Sequence, residues 1–452
     1  MELKDKKALV FGAGISGIGA AKLLLDASAD VILYDGNTAL DEKDIRAKLP
    51  EGGKLSVVLG ELSQELMDTL ELVVLSPGVP TDLPLVNALR EKGIRIWGEV
   101  ELAWECGRGD VLAITGTNGK TTTTSLLGAI MKAWKPEVYI VGNIGTPYTG
   151  EAEKMTDEAV TVAEISSFQL ETIENFAPRV TSILNITPDH LNRHHTMEEY
   201  IRVKELITAN QSAEDTCVLN YEDEILREFG KTLHTRVIYF SSLHKLEVGL
   251  YLDGDKICWN DGSRETVICR TGELNIPGRH NYENVMAASG MAIAYGVPMD
   301  VIRSTVCSFK AVEHRIEYVT EKHGVVYYND SKGTNPDAAI KGIQAMDRPT
   351  LLIGGGYDKQ SSYEEWIQSF DGKVKYLVLI GQTREKIAET ARACGFQNIV
   401  FADSLEEAVA FCAEHAESGD AVLLSPACAS WGMFPNYEVR GRRFKELVNQ
   451  LS

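Results

Sequence analysis

Short apolar runs alternate with stretches of helical spacing along almost the whole chain. Ala8–Phe11 and Val31–Tyr34 read as buried strands, with a helix running through Leu25 between them. The alternation continues through a strand at Leu72–Leu75 and a helix at Leu83–Lys92, then stops near Gly98. Val111–Ile114 predicts another buried strand, and Thr122–Trp134 carries apolar residues at helical spacing. Val160–Ile165 and Ser182–Ile186 follow as strands. Glu198–Asn210 predicts a helix with Tyr200, Val203, Leu206 and Ile207 on its apolar face and Lys204 at the edge of that face. Asp253-Gly254 and Asp261-Gly262 mark hairpin turns. Gly278-Arg-His-Asn281 precedes a helix rich in small residues. Val325–Asn329, Thr350–Ile353, Tyr376–Ile380, Ile399–Phe401 and Ala421–Leu424 are the last strands, with helices between them. There is no internal repeat and no low-complexity linker.

A chain of 452 residues exceeds what one core supports. Its net charge of −20 argues against a general nucleic-acid or anionic-membrane binder. Any anionic substrate must then be met by locally placed Lys, Arg and helix N-termini. The eight cysteines include no C-x-x-C pair. Cys258 and Cys269 could face each other across a hairpin, but reduced thiols are expected. Met1–Lys7 lacks a signal-peptide apolar core, and no apolar run approaches membrane-spanning length. A soluble, cytoplasmic protein is expected.

Two glycine-rich turns carry candidate chemistry. Thr115-Gly-Thr-Asn-Gly-Lys-Thr-Thr122 joins a strand to a helix, the setting of a phosphate cradle. Backbone N–H groups of Gly116, Thr117, Asn118 and Gly119 attract anionic oxygens, Lys120 can reach β/γ-phosphates, and the Thr121 hydroxyl can hold Mg²⁺. Ile114 stands where the usual pattern has its first glycine. Gly12-Ala-Gly14-Ile-Ser-Gly17, with Asp35 closing the next strand, is a dinucleotide fingerprint. Taken alone it fits a nicotinamide dinucleotide or another nucleotide diphosphate; the halt at Gly98 leaves little room for a second half-domain. Glu164 ends a strand and can serve a metal, or be a plain surface carboxylate. His190, His194 and His195 could hint at zinc, but no fourth ligand is placed.

These motifs together resemble the Mur ligase family. The resemblance rests on the Thr115–Thr122 loop with its missing first glycine, Glu164–Leu170, Asn185–His190, His280-Asn281, Glu313–Ile316, Asp330–Asn335 and Ser425–Ser430, in this order over essentially the whole chain. It implies an α/β protein of three domains: a Rossmann-like N-terminal domain over 1–98, a central P-loop ATPase-like parallel-sheet domain over 99–311, and a C-terminal Rossmann-like α/β domain over 312–452. The nearest member is the one that adds D-glutamate to UDP-N-acetylmuramoyl-L-alanine. The implied reaction uses ATP to convert the substrate carboxylate to an acyl phosphate, which the amine of D-glutamate attacks. Two Mg²⁺ are implied, one at Thr121 and Glu164, the other at His190 and a carbamylated Lys204. For ATP the resemblance implies Gly116–Thr122, hence Thr122 also, with Asn281, Arg315 and Asp330. For the UDP-sugar it implies Ile15, Ser16, Asp35, Gly36, Asn37, Asn143 and His190. For D-glutamate it implies Lys332, Thr334, Lys359, Ser430 and Tyr437. A monomer is expected.

Two readings from other classes compete with this one. A nicotinamide oxidoreductase explains Gly12–Gly17 but not the Lys120 loop; a nucleotide-switch ATPase explains that loop but not the N-terminal region. Within the family, a sister ligase or a polyglutamate synthetase is the alternative. The member that adds meso-diaminopimelate is expected to carry Asp-Asn-Pro-Arg, which this chain lacks.

Overall fold

The computed structural model describes residues 3–276, 278–310, 313–346, 348–359 and 361–451. The division expected at 311/312, and the outer ends of the expected domains at residues 1 and 452, lie outside them. Among the described residues the strands form three sheets. The first contains β1 (Lys7–Phe11), β2 (Asp30–Asp35), β3 (Leu55–Leu59), β4 (Leu72–Leu75) and β5 (Arg95–Gly98), in the order β3-β2-β1-β4-β5. All its pairs are parallel. The crossover between β1 and β2 is the helix Ile15–Asp26. A Cβ on Gly17 in that helix would sit 1.7 Å from the Gly12 carbonyl oxygen, so the close approach of helix to strand needs glycine there.

The second sheet contains β6 (Asp110–Thr115), β7 (Val138–Gly142), β8 (Val160–Glu164), β9 (Val180–Ile183), β10 (Thr216–Asn220), β11 (Arg236–Ser241), β12 (Gly249–Asp253), β13 (Lys256–Asn260) and β14 (Glu265–Arg270). Its order is β14-β13-β12-β11-β10-β9-β6-β8-β7. It is parallel from β7 to β12, and the last two strands run antiparallel. Cys258 pairs with Val267 and Cys269 with Ile257, and neither cysteine is in a disulfide.

The third sheet contains β15 (Glu317–Lys322), β16 (Val325–Asn329), β17 (Thr350–Gly355), β18 (Val374–Ile380), β19 (Ile399–Phe401) and β20 (Ala421–Leu424), ordered β15-β16-β20-β17-β18-β19. Only β15 is antiparallel to its neighbour. Apolar side chains pack on both of its faces.

The chain divides into two compact units, one of 1–270 and 283–307, holding the first two sheets, the other of 271–282 and 308–452, holding the third. Among the described residues no helix is long and apolar enough to cross a membrane.

Four local expectations are corrected. β9 ends at Ile183 rather than Ile186. Asn185 instead spends its side chain on the glycine loop, and its amide bonds leave the ladder. The Glu198–Asn210 helix is Met197–Glu205 followed by a 3₁₀ turn, Leu206–Thr208. Gly278-Arg-His-Asn281 does not precede its helix, which starts at Arg279 with Asn281 donating from its backbone N–H to the Gly278 carbonyl (2.9 Å). Finally, β15 is a strand that the hydrophobic pattern did not announce.

Candidate active site

The loop after β6 is tied down by three separate parts of its own unit. Lys120 Nζ donates to the carbonyls of Gly116 (2.7 Å) and Thr117 (2.8 Å). Asn118 N–H donates to Asn185 Oδ1 (2.8 Å), while Asn185 Nδ2 donates to the Asn118 carbonyl (3.1 Å). Thr117 Oγ1 accepts from the Thr187 N–H (3.0 Å) and lies 3.1 Å from the Tyr200 hydroxyl. Gly119 takes φ +86°, and a Cβ there would lie 2.3 Å from Asn284 Oδ1. Thr121 and Thr122 open the helix Lys120–Trp134 and are buried. A fifteen-residue helix begins directly at the loop, so its N-terminal N–H groups and dipole favour an anion there.

Lys204 is 1% exposed, not at the edge of its helix face. Tyr200, one turn earlier, lays its ring against the amine: Nζ is 4.6 Å from the ring centroid. Nζ donates to the Gly116 carbonyl (3.0 Å), the same oxygen that Lys120 meets. Burial, then the Lys120 ammonium, push the Lys204 pKa well below the ordinary lysine range, against a smaller pull from Asp189.

Glu164 closes β8 and is buried. Its Oε1 accepts from Asn143 Nδ2 (2.9 Å), which brings two expected residues together. Its Oε2 is buried with no hydrogen-bond partner among the described residues. An orphaned carboxylate oxygen beside a phosphate-type loop suits a cation. Among the described residues no group of three or more His, Cys, Asp or Glu could hold a metal. The expected donor sets pair such residues with a threonine hydroxyl and a lysine, and the buried Lys204, whose charged form burial disfavours, with the orphaned Glu164 oxygen fits them. His190 has φ +52° and heads the short helix Leu191–His194. It is exposed, its ring 4.9 Å edge-on from Phe168 and its Nε2 3.5 Å from Asp189 Oδ2. His194 is buried on Ser167 (2.9 Å), and His195 faces Asp82 (3.2 Å). The three histidines thus have separate polar partners, although the Phe168 ring neighbours both His190 and His194.

In the first sheet, Asp35 bridges the ends of β1 and β2. Its Oδ2 accepts from Ala13 N–H (2.9 Å) and its Oδ1 from Asn37 N–H (2.9 Å). Asn37 Oδ1 in turn accepts from Ala39 N–H (3.0 Å), so Gly36 and Asn37 form a side-chain-closed turn. Ile15 is 76% exposed beside the half-buried Ser16 at the start of the helix.

The other unit holds the remaining candidates. Asp330 is buried; Oδ2 accepts from Ser425 Oγ (2.7 Å) and Oδ1 from Ile316 N–H (3.3 Å). Burial pushes its pKa up to about 6, although Arg315 and these hydrogen bonds pull it down. Arg315 is half-buried, and its Nε has no hydrogen-bond acceptor among the described residues. Lys332 Nζ lies 5.7 Å from the Tyr437 ring centroid, and Thr334 N–H donates to the Lys332 carbonyl (2.8 Å). Lys359 Nζ lies 5.6 Å from the Trp431 ring centroid, next along the chain from the buried Ser430.

Residue reasoning missed several groups that shape these loops. Asn185 clamps Asn118, and Tyr200 meets Thr117. Arg440, fully buried, donates to Ser331 Oγ (3.0 Å), the Ser331 carbonyl (2.8 Å) and the Cys428 carbonyl (3.2 Å), tying the loop after β16 to the loop after β20. Its sole signal in the sequence is its place one turn after Tyr437.

Three family models match the chain: Mur ligase MurD-like, N-terminal domain over residues 6–98; Mur ligase middle domain over 114–292; and Mur ligase, glutamate ligase domain over 314–428. A Lachnoclostridium phytofermentans protein named UDP-N-acetylmuramoylalanine–D-glutamate ligase is 59% identical over 451 residues, 100% of this chain and 99% of its own. One of the same name from Lachnospira eligens is 55% identical over 100% of both chains. Among solved structures, UDP-N-acetylmuramate-alanine ligase MurC from Thermotoga maritima superposes with a TM-score of 0.61 at 17% identity, over 98% of this chain and 99% of its own. MurF ligase from Thermotoga maritima in complex with ADP gives 0.59 at 15% identity over 100% of both. These two share the fold.

Proposed function

The chain belongs to the Mur ligase family, and from that premise we propose that it joins D-glutamate to UDP-N-acetylmuramoyl-L-alanine at the expense of ATP, in the cytoplasm, as a step of peptidoglycan precursor synthesis. The observation that carries the catalytic part is the pair of lysines on one oxygen: Lys120 and Lys204 both donate to the Gly116 carbonyl, one able to carry charge to phosphate, the other buried so that its charged form is disfavoured.

In the reaction a substrate carboxylate oxygen takes the γ-phosphoryl group, and ADP leaves. The D-glutamate nitrogen then attacks the acyl carbon, loses a proton, and phosphate departs with the C–O electron pair. Each step brings anions together, so the work of the chain is to place cations and donors. Gly116–Thr122 would cradle the triphosphate. Asn281, Arg315 and Asp330 are assigned to the nucleotide as well. Ile15, Ser16, Asp35, Gly36, Asn37 and Asn143 are assigned to the UDP-sugar. Lys332, Thr334, Lys359, Ser430 and Tyr437 are assigned to D-glutamate, whose carboxylates suit two ammonium groups. Thr121 with Glu164, and His190 with a carbamylated Lys204, would be the donors for Mg²⁺. Magnesium, when bound, would supply neutralisation of phosphate and carboxylate charge. The proposed domains are 1–98, 99–311 and 312–452.

Phosphate release tests this reading. It should require ATP, Mg²⁺, UDP-N-acetylmuramoyl-L-alanine and an amino acid together, with D-glutamate preferred over L-glutamate, L-alanine, L-lysine and diaminopimelate. Lys359→Ala should raise the KM for D-glutamate by about tenfold or more, the size of a lost charged contact, and leave that for ATP nearly unchanged. A better rate with L-glutamate or a neutral amino acid would overturn the assignment.

A further inference from the structure

Arg193 stands outside every role assigned above, yet it joins a loop of the first sheet to Glu171 beside the second. It lies on the helix Leu191–His194, immediately after His190. Its Nε donates to Glu171 Oε1 (3.2 Å) and its Nη2 to Glu171 Oε2 (2.6 Å), a forked pair only 11% and 9% exposed. Nη2 also donates to the Val79 carbonyl (3.0 Å), in the loop that follows β4 of the first sheet. Thr81 of that loop donates to Glu171 Oε2 (3.1 Å). The guanidinium sits 4.9 Å from the Phe168 ring centroid, and that ring is also the edge-on neighbour of His190. At its other end the loop reaches the glycine turn: Ser76 Oγ donates to the Gly12 carbonyl (3.2 Å), and Val79 N–H donates to the Ser76 carbonyl (2.9 Å). Val79, Thr81, Phe168 and Arg193 line one cavity.

We infer that Arg193 is a positioning residue that holds the Ser76–Asp82 loop and the His190 turn at a fixed spacing, so that the diphosphate-sugar meets both in one arrangement. This rests on the ligase reading. The physical ground is preorganisation. A planar fork satisfied by one carboxylate and one carbonyl admits a single orientation, which spares the substrate the cost of ordering the loop. Lysine has the charge but lacks the fork.

The test uses the full-length enzyme, Arg193→Lys and Glu171→Gln, with KM measured for each substrate at saturating levels of the others. The expected result is a rise in the KM for UDP-N-acetylmuramoyl-L-alanine of about tenfold, the value of one charged hydrogen bond, with the KM values for ATP and D-glutamate within about twofold. A merely structural part would lower the melting temperature and shift all three constants alike. Either that pattern or an unmoved KM for the UDP-substrate overturns the inference. Should one variant fail to fold, the other decides. A wild-type enzyme that never turns over this substrate set would sink the ligase reading instead.

Discussion

Lys204 places an amine where a positive charge is costly: the residue is buried, and Lys120 shares its acceptor oxygen. The sign of the linkage follows from the depressed pKa. The folded state binds fewer protons at this position than the unfolded chain, so its contribution to stability is present above the ordinary lysine range and is lost as pH falls through the folded value. An amine in its neutral form can capture CO₂ and become an anion, which suits a position proposed to hold a metal. Carbon-13 bicarbonate NMR should show a carbamate resonance that is missing in Lys204→Ala, and turnover in that variant should fall by roughly a hundredfold or more. Full activity of the variant in CO₂-free buffer would rule the modification out as a catalytic part. Residue types alone could not reach this. At its spacing from Tyr200 the lysine reads as a solvated edge, because periodicity reports which face a residue shares and not what closes over it. The resemblance to a family singled it out. Arg440 shows the same limit: one arginine on an amphipathic helix carries no mark of its three buried acceptors.

At the scale of elements, legibility follows locality. The strand–turn–helix around Gly116–Thr122 was readable because its apolar run, its glycines and its helical period are all written within a short stretch. The observed strand Asp110–Thr115 and helix Lys120–Trp134 differ from the expected ones by one or two residues at an end. β15 was unreadable because it is an edge strand with no buried side chain among its residues, hence no alternation. β9 was misplaced because Asn185 serves a loop distant in sequence. The same dependence on a distant partner yields a prediction. Gly119→Ala puts a Cβ on a left-handed residue and against Asn284 Oδ1, 2.3 Å away. Both effects disfavour the native loop, by about 1–3 kcal/mol. Urea unfolding should register that loss, and the KM for ATP should rise while the KM for D-glutamate stays put. A variant with wild-type stability and ATP affinity would show that the loop does not need this conformation.

For the molecule as a whole, the alternation of strands and helices announced the three sheets, and the halt near Gly98 marks the observed end of the first. Each compact unit has apolar clusters made from its own residues: Leu3–Leu226 in one, Ile316–Val448 in the other. Unfolding should therefore depart from a single two-state transition. Scanning calorimetry should give a van't Hoff enthalpy below the calorimetric one, and the two being equal would refute the expectation.

The placement of the first sheet in the chain also bears on synthesis. Its strands all lie within Lys7–Gly98, so every backbone ladder of that sheet can close while most of the protein is still being made. The outer face of its first helix is a different matter. Gly19 packs so closely on Thr149 that an added Cβ would lie 2.7 Å from its hydroxyl, and Thr149 in turn gives both its N–H (2.7 Å) and its hydroxyl (2.9 Å) to the buried Glu99. Until the ribosome has delivered residue 149, that carboxylate lacks these donors and the helix lacks its cover, so the nascent sheet is complete in its hydrogen bonds well before it is sealed.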